Sequence, residues 1–400
     1  MIEIKDKAKC SGCWACENAC PVHCIAMLED EEGFHYPHVN IDCCIECHRC
    51  EKVCPELQPM LNDTMPIKSF IVQHKDSDIL RNSTSGGFYS AIAKYAIDRG
   101  GVVFGAAFDD SMTLCHQCAE TLNECNKFRG SKYVQSLVGN TFQQVKSILK
   151  EGRMVVYSGT PCQISGLYCF LDGCRYDNLI TVDLVCHGTP SPRLLKKYLE
   201  YQAFIHHNKV RDYRSRDKFY GYDYSTATIF FENPKDKYHQ GIESDLMLRL
   251  YFKNLISRPS CYSCHFKTIN RVSDFTIFDC WDATSVSSIF SRNGATNVFI
   301  HSENGIKVFD YLKESFNWVE SDTQLQIDKD GIMLKHFVPL NPQRADFFRD
   351  LQTMSIEQLE KKYDYKSVLR KVIAFAKPYL FNVGVFRIYL NLKRKIRLHQ

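Results

Sequence analysis

Two cysteine runs near the N-terminus constrain this chain more than any other feature. The first reads Cys10-x2-Cys13-x2-Cys16-x3-Cys20-Pro21, and the second Cys44-x2-Cys47-x2-Cys50-x3-Cys54-Pro55. Four cysteines at these gaps, followed by proline and then repeated, have the spacing that holds two [4Fe-4S] clusters. The reason is geometric. A tight loop with two-residue gaps wraps three thiolates around three irons of one cube. The fourth cysteine, past a short helical turn, points across to the other cube. Cys10, Cys13, Cys16 and Cys54 are therefore expected to hold one cluster, and Cys44, Cys47, Cys50 and Cys20 the other. The proline ends the turn and sets the chain direction. Zinc knuckles are the competing reading, but zinc sites rarely repeat this spacing with proline. Cys24 and Cys43 fit neither run and read as small apolar fillers.

Cysteine usage supports metal over disulfides. Of 20 cysteines in 400 residues, ten precede residue 55, and only Cys261, Cys264 and Cys280 follow residue 186. A disulfide framework suits a short secreted chain, and the start, MIEIKDKAKC, has no apolar signal region. Reduced thiols in a cytoplasmic protein point to metal. The formal charge of +4 counts cysteine as neutral. Each cluster with its thiolates carries roughly −2, so the loaded chain is near neutral and carries no nucleic-acid signal. No apolar run reaches the roughly 18 residues needed to cross a bilayer. The stretch from Val368 to Leu392 is broken by Arg370, Lys371, Lys377, Pro378 and Arg387.

Two clusters pass single electrons and do no substrate chemistry by themselves, so the rest of the chain must supply that. A polar stretch from Pro59 to Pro66 reads as a linker. Strands and helices then alternate. Strands are expected at Ser69 to His74, Gly101 to Phe108, Met154 to Tyr157 and Ile180 to Val185. Helices are expected at Phe88 to Asp98, Thr141 to Lys150, from about Gln163, and from Pro192 to Ile205. Val210 to Phe231 looks β-rich. This alternation argues for an α/β body, parallel at least in part. Ser85-Gly86-Gly87 and Ser158-Gly159-Thr160-Pro161 each open a helix, where backbone N–H groups favour phosphate oxygens. Alone, such a turn is more often only a turn. No G-x-G-x-x-G fingerprint supports a nicotinamide site.

A second group of cysteines sits at loops and element ends: Cys162 in Thr160-Pro161-Cys162-Gln163, Cys186 in Val185-Cys186-His187-Gly188, and Cys261-x2-Cys264. Two of these loops follow strands of the α/β pattern, where ligands bind. Four thiolates from three loops can hold a third [4Fe-4S] cluster or a zinc ion, or can be core residues. Cys115, Cys118 and Cys125 read as packing residues, as do Cys169 and Cys174. Cys280 is left undecided.

These motifs together resemble the family of coenzyme F-420 hydrogenase/dehydrogenase beta subunits. The resemblance rests on Ser85-Gly86-Gly87, Gly130-Ser131-Lys132-Tyr133-Val134-Gln135-Ser136, Gly159-Thr160-Pro161-Cys162-Gln163, Cys186-His187-Gly188 and Cys261-x2-Cys264. It covers about residues 67 to 300, and the ordered set is specific where no single motif is. The resemblance implies FAD in the α/β body, with Ser85, Gly86, Gly87, Ser131 and Lys132 near the flavin. It also implies a third [4Fe-4S] cluster on Cys162, Cys186, Cys261 and Cys264. Lys132 would place a positive charge by the isoalloxazine; a surface salt bridge is its other reading. Phe278-Asp279-Cys280-Trp281-Asp282 departs from the family's Gly-Asp-x-Trp-Gly type of run. Asn341-Pro342-x-Arg344-x-x-Phe347 looks like bacterial members encoded with polysaccharide-biosynthesis enzymes, so reduction of the deazaflavin itself is not implied.

The expected architecture is thus mixed α+β and α/β. A ferredoxin-like two-cluster module over 1–60 precedes an α/β flavin-binding body over 67–150 and 151–320, and a helical basic tail over 321–400. Residues 355 to 400 read as helical, ending in the basic run Leu392 to Leu398, which suits peripheral contact with an anionic membrane surface. The expected function is a cytoplasmic oxidoreductase. It would take electrons from a ferredoxin or partner subunit through its clusters to FAD and on to an organic substrate, in polysaccharide or nucleotide-sugar metabolism. The alternative is a relay subunit of a larger complex, including one that reduces coenzyme F-420, with no organic substrate of its own. His187 is a general-acid candidate by location only.

Overall fold

The computed structural model describes residues 1–60, 65–224, 226–385 and 388. Part of the expected linker, 61–64, and the basic run 392–398 lie outside the described residues.

In the N-terminal module the two cysteine runs fold alike. Gly12 and Trp14 adopt positive φ in the first run, at 68° and 69°; Glu46 and His48 occupy the matching places in the second, at 50° and 56°. Each left-handed pair turns the loop back on itself and opens a short helix, Ala15–Ala19 and Arg49–Lys52. This left-handed region is costly for residues other than glycine. Its repetition marks a loop held by what it wraps. Between the runs lies one hairpin, β1 (Ile25–Glu29) with β2 (His35–Val39), antiparallel.

The body is built on one eight-stranded mixed sheet. Its strands in chain order are β3 (Lys68–His74), β4 (Val102–Phe108), β5 (Leu114–Ala119), β6 (Val155–Gly159) and β7 (Leu179–Leu184). A separate three-stranded sheet follows: β8 (Val210–Asp217), β9 (Thr226–Phe231) and β10 (Lys237–Gly241). The chain then returns for β11 (Phe275–Cys280), β12 (Ala295–Ile300) and β13 (Phe316–Glu320). The large sheet runs β13-β3-β12-β11-β7-β6-β4-β5. Its centre, β11-β7-β6-β4, is parallel, and its flanks are antiparallel. Val155 and Val156 on β6 and Val102, Val103 and Phe104 on β4 are almost wholly buried, as expected of parallel strands covered on both faces. The helix Thr141–Lys150 leads from β5 into β6, and the crossover helix Pro161–Phe170 joins β6 to β7.

Helix starts follow sequence chemistry. Thr160 and Gln163 form a capping box, and Pro161 takes the first turn, where its missing N–H costs nothing. Ser191 caps the helix Pro192–His206 by accepting the Leu194 N–H, and Pro192 again takes the first turn. After the helix Arg344–Leu351, the described part of the segment expected to be helical from residue 355 forms two helices, Ile356–Tyr363 and Val368–Asn382. The break falls at Asp364, which is fully buried and accepts from Arg249 and from Lys253 Nζ at 2.7 Å. A buried carboxylate must be paired, and that pairing turns the chain inward.

The module is packed into the body. Phe34 and Tyr36 share a core with Leu194, Tyr198 and Phe347. Cys13, Ala15 and Val53 share another with Val102, Phe142 and Leu167. Arg344, from the Asn-Pro-x-Arg-x-x-Phe segment, clamps the hairpin: Nη1 donates to Glu32 Oε1 at 2.8 Å, Nη2 donates to Oε2, and Nε donates to the Ser257 carbonyl at 3.0 Å.

Candidate functional site

Cys54 lies among Cys10, Cys13 and Cys16. Burial first, then the like charges of Cys16, Cys54 and Cys10, raise the Cys13 thiol well above its usual range. Cys16 is raised by burial first, then by Cys10 and Cys54, and by Cys50 of the other run. Cys20, by contrast, lines a second cavity with Cys44, Cys47 and Cys50, about 330 Å³ in extent, together with Met1, Val22 and Ile45. The fourth cysteine of each run thus sits with the other run. Cys24 joins this second cavity as a buried neighbour: its N–H donates to Cys20 Sγ at 3.3 Å. Cys43 is exposed.

A third thiol set gathers from three loops. Cys162 follows β6, Cys186 follows β7, Cys261 lies within the turn Pro259–Ser263 and Cys264 ends it. Together they line a cavity of about 480 Å³ with Ser11, Glu56, Thr189, Lys267 and Arg271. Burial foremost, with the neighbouring thiols, raises Cys162 well above the usual range and pushes Cys264 up to about 12. Thr189 N–H points to Cys261 Sγ at 3.4 Å.

In the first and third sets, buried thiols stand close enough for their thiolates to repel one another out of water. Cations must offset that cost. The second and third sets each line a space, an arrangement that fits a four-iron cube with sulfurs at separate corners.

A much larger cleft opens on the other side of Cys186, Gly188 and Thr189, which line both spaces. It is open to solvent, spans about 1590 Å³ with that open space included, and lies at the C-terminal ends of β6 and β7, where open α/β sheets bind ligands. Ser85, Gly87, Ser131 and Lys132 line it. Gly86 does not. Its N–H donates to Thr296 Oγ1 at 2.7 Å and its carbonyl accepts from His74, so it sits against the paired strands β3 and β12. A Cβ there would run into the Val72 carbonyl and the Thr296 nitrogen. That glycine serves the backbone approach, not the cleft. Gly87, at φ 85°, opens the helix Phe88–Ile97.

Lys132 is neither a surface salt bridge nor a free charge. Its Nζ donates to the carbonyls of Ala106, Lys127 and Arg129 at 3.1, 2.9 and 2.9 Å. Burial pulls its pKa down to about 7, partly offset by Asp212. It fixes the Arg129–Ser131 corner of the cleft. His187 lines the cleft, its Nε2 3.0 Å from Asn254 Oδ1 and its ring edge-on to Tyr251. Burial lowers its pKa, so it is neutral near pH 7. Asp279 faces the cleft in an ion pair with buried Arg216 and accepts from Tyr222 at 3.1 Å. Cys280, one residue on, is buried against Ile71, Phe290 and Ala295 as a packing residue. Cys115 and Cys118 lie on β5.

Polar side chains also face this region. Tyr89 and Ser158 both line the cleft. With the Gly87 turn and the Ser131 hydroxyl, such groups suit a polar cofactor of nucleotide size.

Residues 152–323 match the family described as the C terminus of the beta subunit of coenzyme F420 hydrogenase/dehydrogenase, and residues 9–56 match the "4Fe-4S dicluster domain". An uncharacterized protein of Methanocaldococcus jannaschii is 26% identical over 200 residues, 42% of this chain and 54% of its own length. The chain therefore spans about half of that relative. A protein of Methanosarcina mazei, named as a subunit of F(420)H(2) dehydrogenase, is 20% identical over 342 residues, 80% of this chain and 87% of that one. Among solved structures, one chain from the F420-reducing [NiFe] hydrogenase complex of Methanosarcina barkeri aligns at TM-score 0.43 and 16% identity, covering 76% of this chain and 94% of that one.

Proposed function

We propose that this chain, which carries a 4Fe-4S dicluster domain and the C-terminal domain of a coenzyme F420 hydrogenase/dehydrogenase beta subunit, is an iron-sulfur flavoprotein oxidoreductase. It takes electrons from a ferredoxin-type donor and delivers them to an organic substrate in the cleft. The single observation that carries this reading is the order of the thiol sets. The set with Cys20, Cys44, Cys47 and Cys50 has an exposed member, Cys47. The set with Cys10, Cys13, Cys16 and Cys54 lies inward. The set with Cys162, Cys186, Cys261 and Cys264 shares its wall with the cleft.

Each thiol set would hold one [4Fe-4S] cluster. Ser85, Gly87 and Ser131 would contact FAD, and Lys132 would hold their corner in place. When bound, the clusters supply one-electron steps and the flavin supplies conversion to a two-electron reduction. The chain's own residues do the rest. Burial of the inner thiols excludes water. Lys267 donates to the Cys186 carbonyl and sets a cation against the third set. Asp279, held by Arg216 and Tyr222, presents a fixed carboxylate to the cleft. His187, neutral and oriented by Asn254, offers one ring nitrogen for proton transfer.

Anaerobic purification followed by iron, sulfide and flavin counts tests this. About 12 irons and one FAD per chain support the reading; about 8 irons and no flavin overturn it.

The Methanosarcina mazei relative is named as part of a dehydrogenase, which favours a second reading: a relay to a partner protein without its own substrate. Reoxidation of the reduced protein by nucleotide sugars or other small molecules supports the enzyme. Reoxidation by a partner protein alone supports the relay.

The helix Val368–Asn382 adds a peripheral contact. Val368, Val372, Phe375, Tyr379 and Val383 are exposed at spacings of one helical face, beside exposed Arg370 and Lys371. An apolar face with adjacent cations suits an anionic membrane surface. Among the described residues no helix is long and apolar enough to cross a membrane. Co-sedimentation with anionic vesicles that is unchanged by ending the chain at Leu380 would contradict a role for the basic end.

A further inference from the structure

Arg258 joins the N-terminal module to the third thiol set. Its side chain is 0% exposed, a rare position for a guanidinium. It caps the turn Pro259–Ser263 that carries Cys261, and its carbonyl accepts the Cys261 N–H at 3.0 Å. Its side chain reaches the other way. Nε donates to the Cys10 carbonyl at 2.7 Å, Nη1 to Gln135 Oε1 at 2.9 Å, and Nη2 to the His35 carbonyl at 3.0 Å. Nη2 also stands 3.5 Å from Cys10 Sγ. The guanidinium lies 4.2 Å from the centre of the Tyr36 ring.

Around it the cysteine loop is fitted closely. Gln135 Nε2 donates to the Ser11 carbonyl at 3.0 Å. A Cβ on Gly12 would come 2.8 Å from Arg258 Nη1 and 2.7 Å from Gln135 Nε2. Among the described residues none of the hydrogen-bond partners of Arg258 is a carboxylate. Glu56 also lies near Arg258, but no hydrogen bond or ion pair joins the two among the described residues. A buried cation without a carboxylate partner needs an opposite charge. Here the available one is the thiolate set of Cys10, Cys13, Cys16 and Cys54, which stays net negative when it holds a cluster.

Hydrogen bonds and positive charge at a ligating sulfur stabilise the reduced, more negative state, and so raise its potential. We propose that Arg258 is a positioning residue that selectively raises the reduction potential of the cluster held by Cys10, Cys13, Cys16 and Cys54. It thereby makes this inner site the place where an arriving electron rests before the third set. No bond is made or broken; one electron enters and the fixed cation offsets its charge. The inference rests on the ligand assignment proposed above.

The test is a redox titration of the loaded full-length protein, followed by electron paramagnetic resonance. Arg258→Met keeps an apolar stem and removes the charge. It should shift the reduction equilibrium of the first cluster at least tenfold toward the oxidised form, about 59 mV for one electron. Arg258→Lys should restore at least half of that shift. Gln135→Glu leaves the arginine in place but sets a carboxylate against it, and should shift the same cluster in the same direction. If all three clusters shift together, or the first stays within twofold, the proposal is overturned. Should Arg258→Met fail to load, an unshifted first cluster in Gln135→Glu overturns it alone. An unsubstituted chain lacking a first cluster overturns the ligand assignment itself, which iron counting reveals before any variant is made.

Discussion

Replacing Arg344 by glutamine should loosen the N-terminal module from the body. The guanidinium makes two bonds to the Glu32 carboxylate and two to the Ser257 carbonyl. The side chains of Arg344 and Glu32 are 10% and 14% exposed. Breaking a buried ion pair costs about 3–5 kcal/mol, because the remaining charge is left unpaired. Some solvent reaches this one, so ~3 kcal/mol is the working figure. At about 2 °C per kcal/mol, suited to a large chain, the melting temperature falls by ~6 °C. Calorimetry of the anaerobically loaded protein measures that. Limited proteolysis between residues 56 and 66 should become faster as the module opens. A cycle with Glu32→Gln should return a coupling above ~1 kcal/mol. If Arg344→Gln melts within about 1 °C of the parent, with coupling below ~0.5 kcal/mol, the clamp carries no weight and the reasoning fails.

Other perturbations follow from the same packing. Gly166 lies under the first cysteine loop, where a Cβ would come 2.9 Å from Cys13 Cβ; Gly166→Val should remove about four irons per chain and leave the other two sites loaded, and full iron content would refute the contact. Cys20→Ala should damage the site shared with Cys44, Cys47 and Cys50 while sparing Cys10, Cys13 and Cys16; the opposite pattern in cluster spectra would refute the crossed arrangement. His116 is buried with Nε2 3.0 Å from the Ser158 carbonyl, and burial lowers its pKa to about 4. Its unfolded value is about 6.5, so the unfolded state binds more protons between those values. Its contribution is intact above pH 6.5 and is lost as pH falls toward 4. Between pH 6.5 and 5 the parent should lose denaturant resistance faster than His116→Asn, and parallel curves would count against this.

Much of the site was legible because its chemistry is local. Cysteine gaps of two and three residues encode the module directly, and proline marks where each run turns. The parallel strands were legible as apolar runs such as Val102 to Phe104, which need no knowledge of their partners. Long-range pairings were less visible. The antiparallel flank of β3, β12 and β13 joins segments more than 200 residues apart. Gly86 looked like a cofactor turn, and only its fit between Val72 and Thr296 reveals a structural reason. The break at Asp364 had no local signal, because Arg249 and Lys253 impose it from another element. Arg258 escaped notice for the same cause. A lone arginine three residues before Cys261 says nothing until the chain brings Cys10 to it. The Arg344 segment was visible as a pattern, but its partner Glu32 lies 312 residues away.

The central claim is that the third thiol set links the module to the cleft. The direct measurement is stopped-flow reduction of the loaded protein by a reduced ferredoxin, comparing the parent with the double variant Cys261→Ala, Cys264→Ala. The account predicts that the two module clusters of the variant still take up electrons at the parental rate, while bleaching of the flavin absorbance is lost. Flavin reduction in the variant at the parental rate would contradict it.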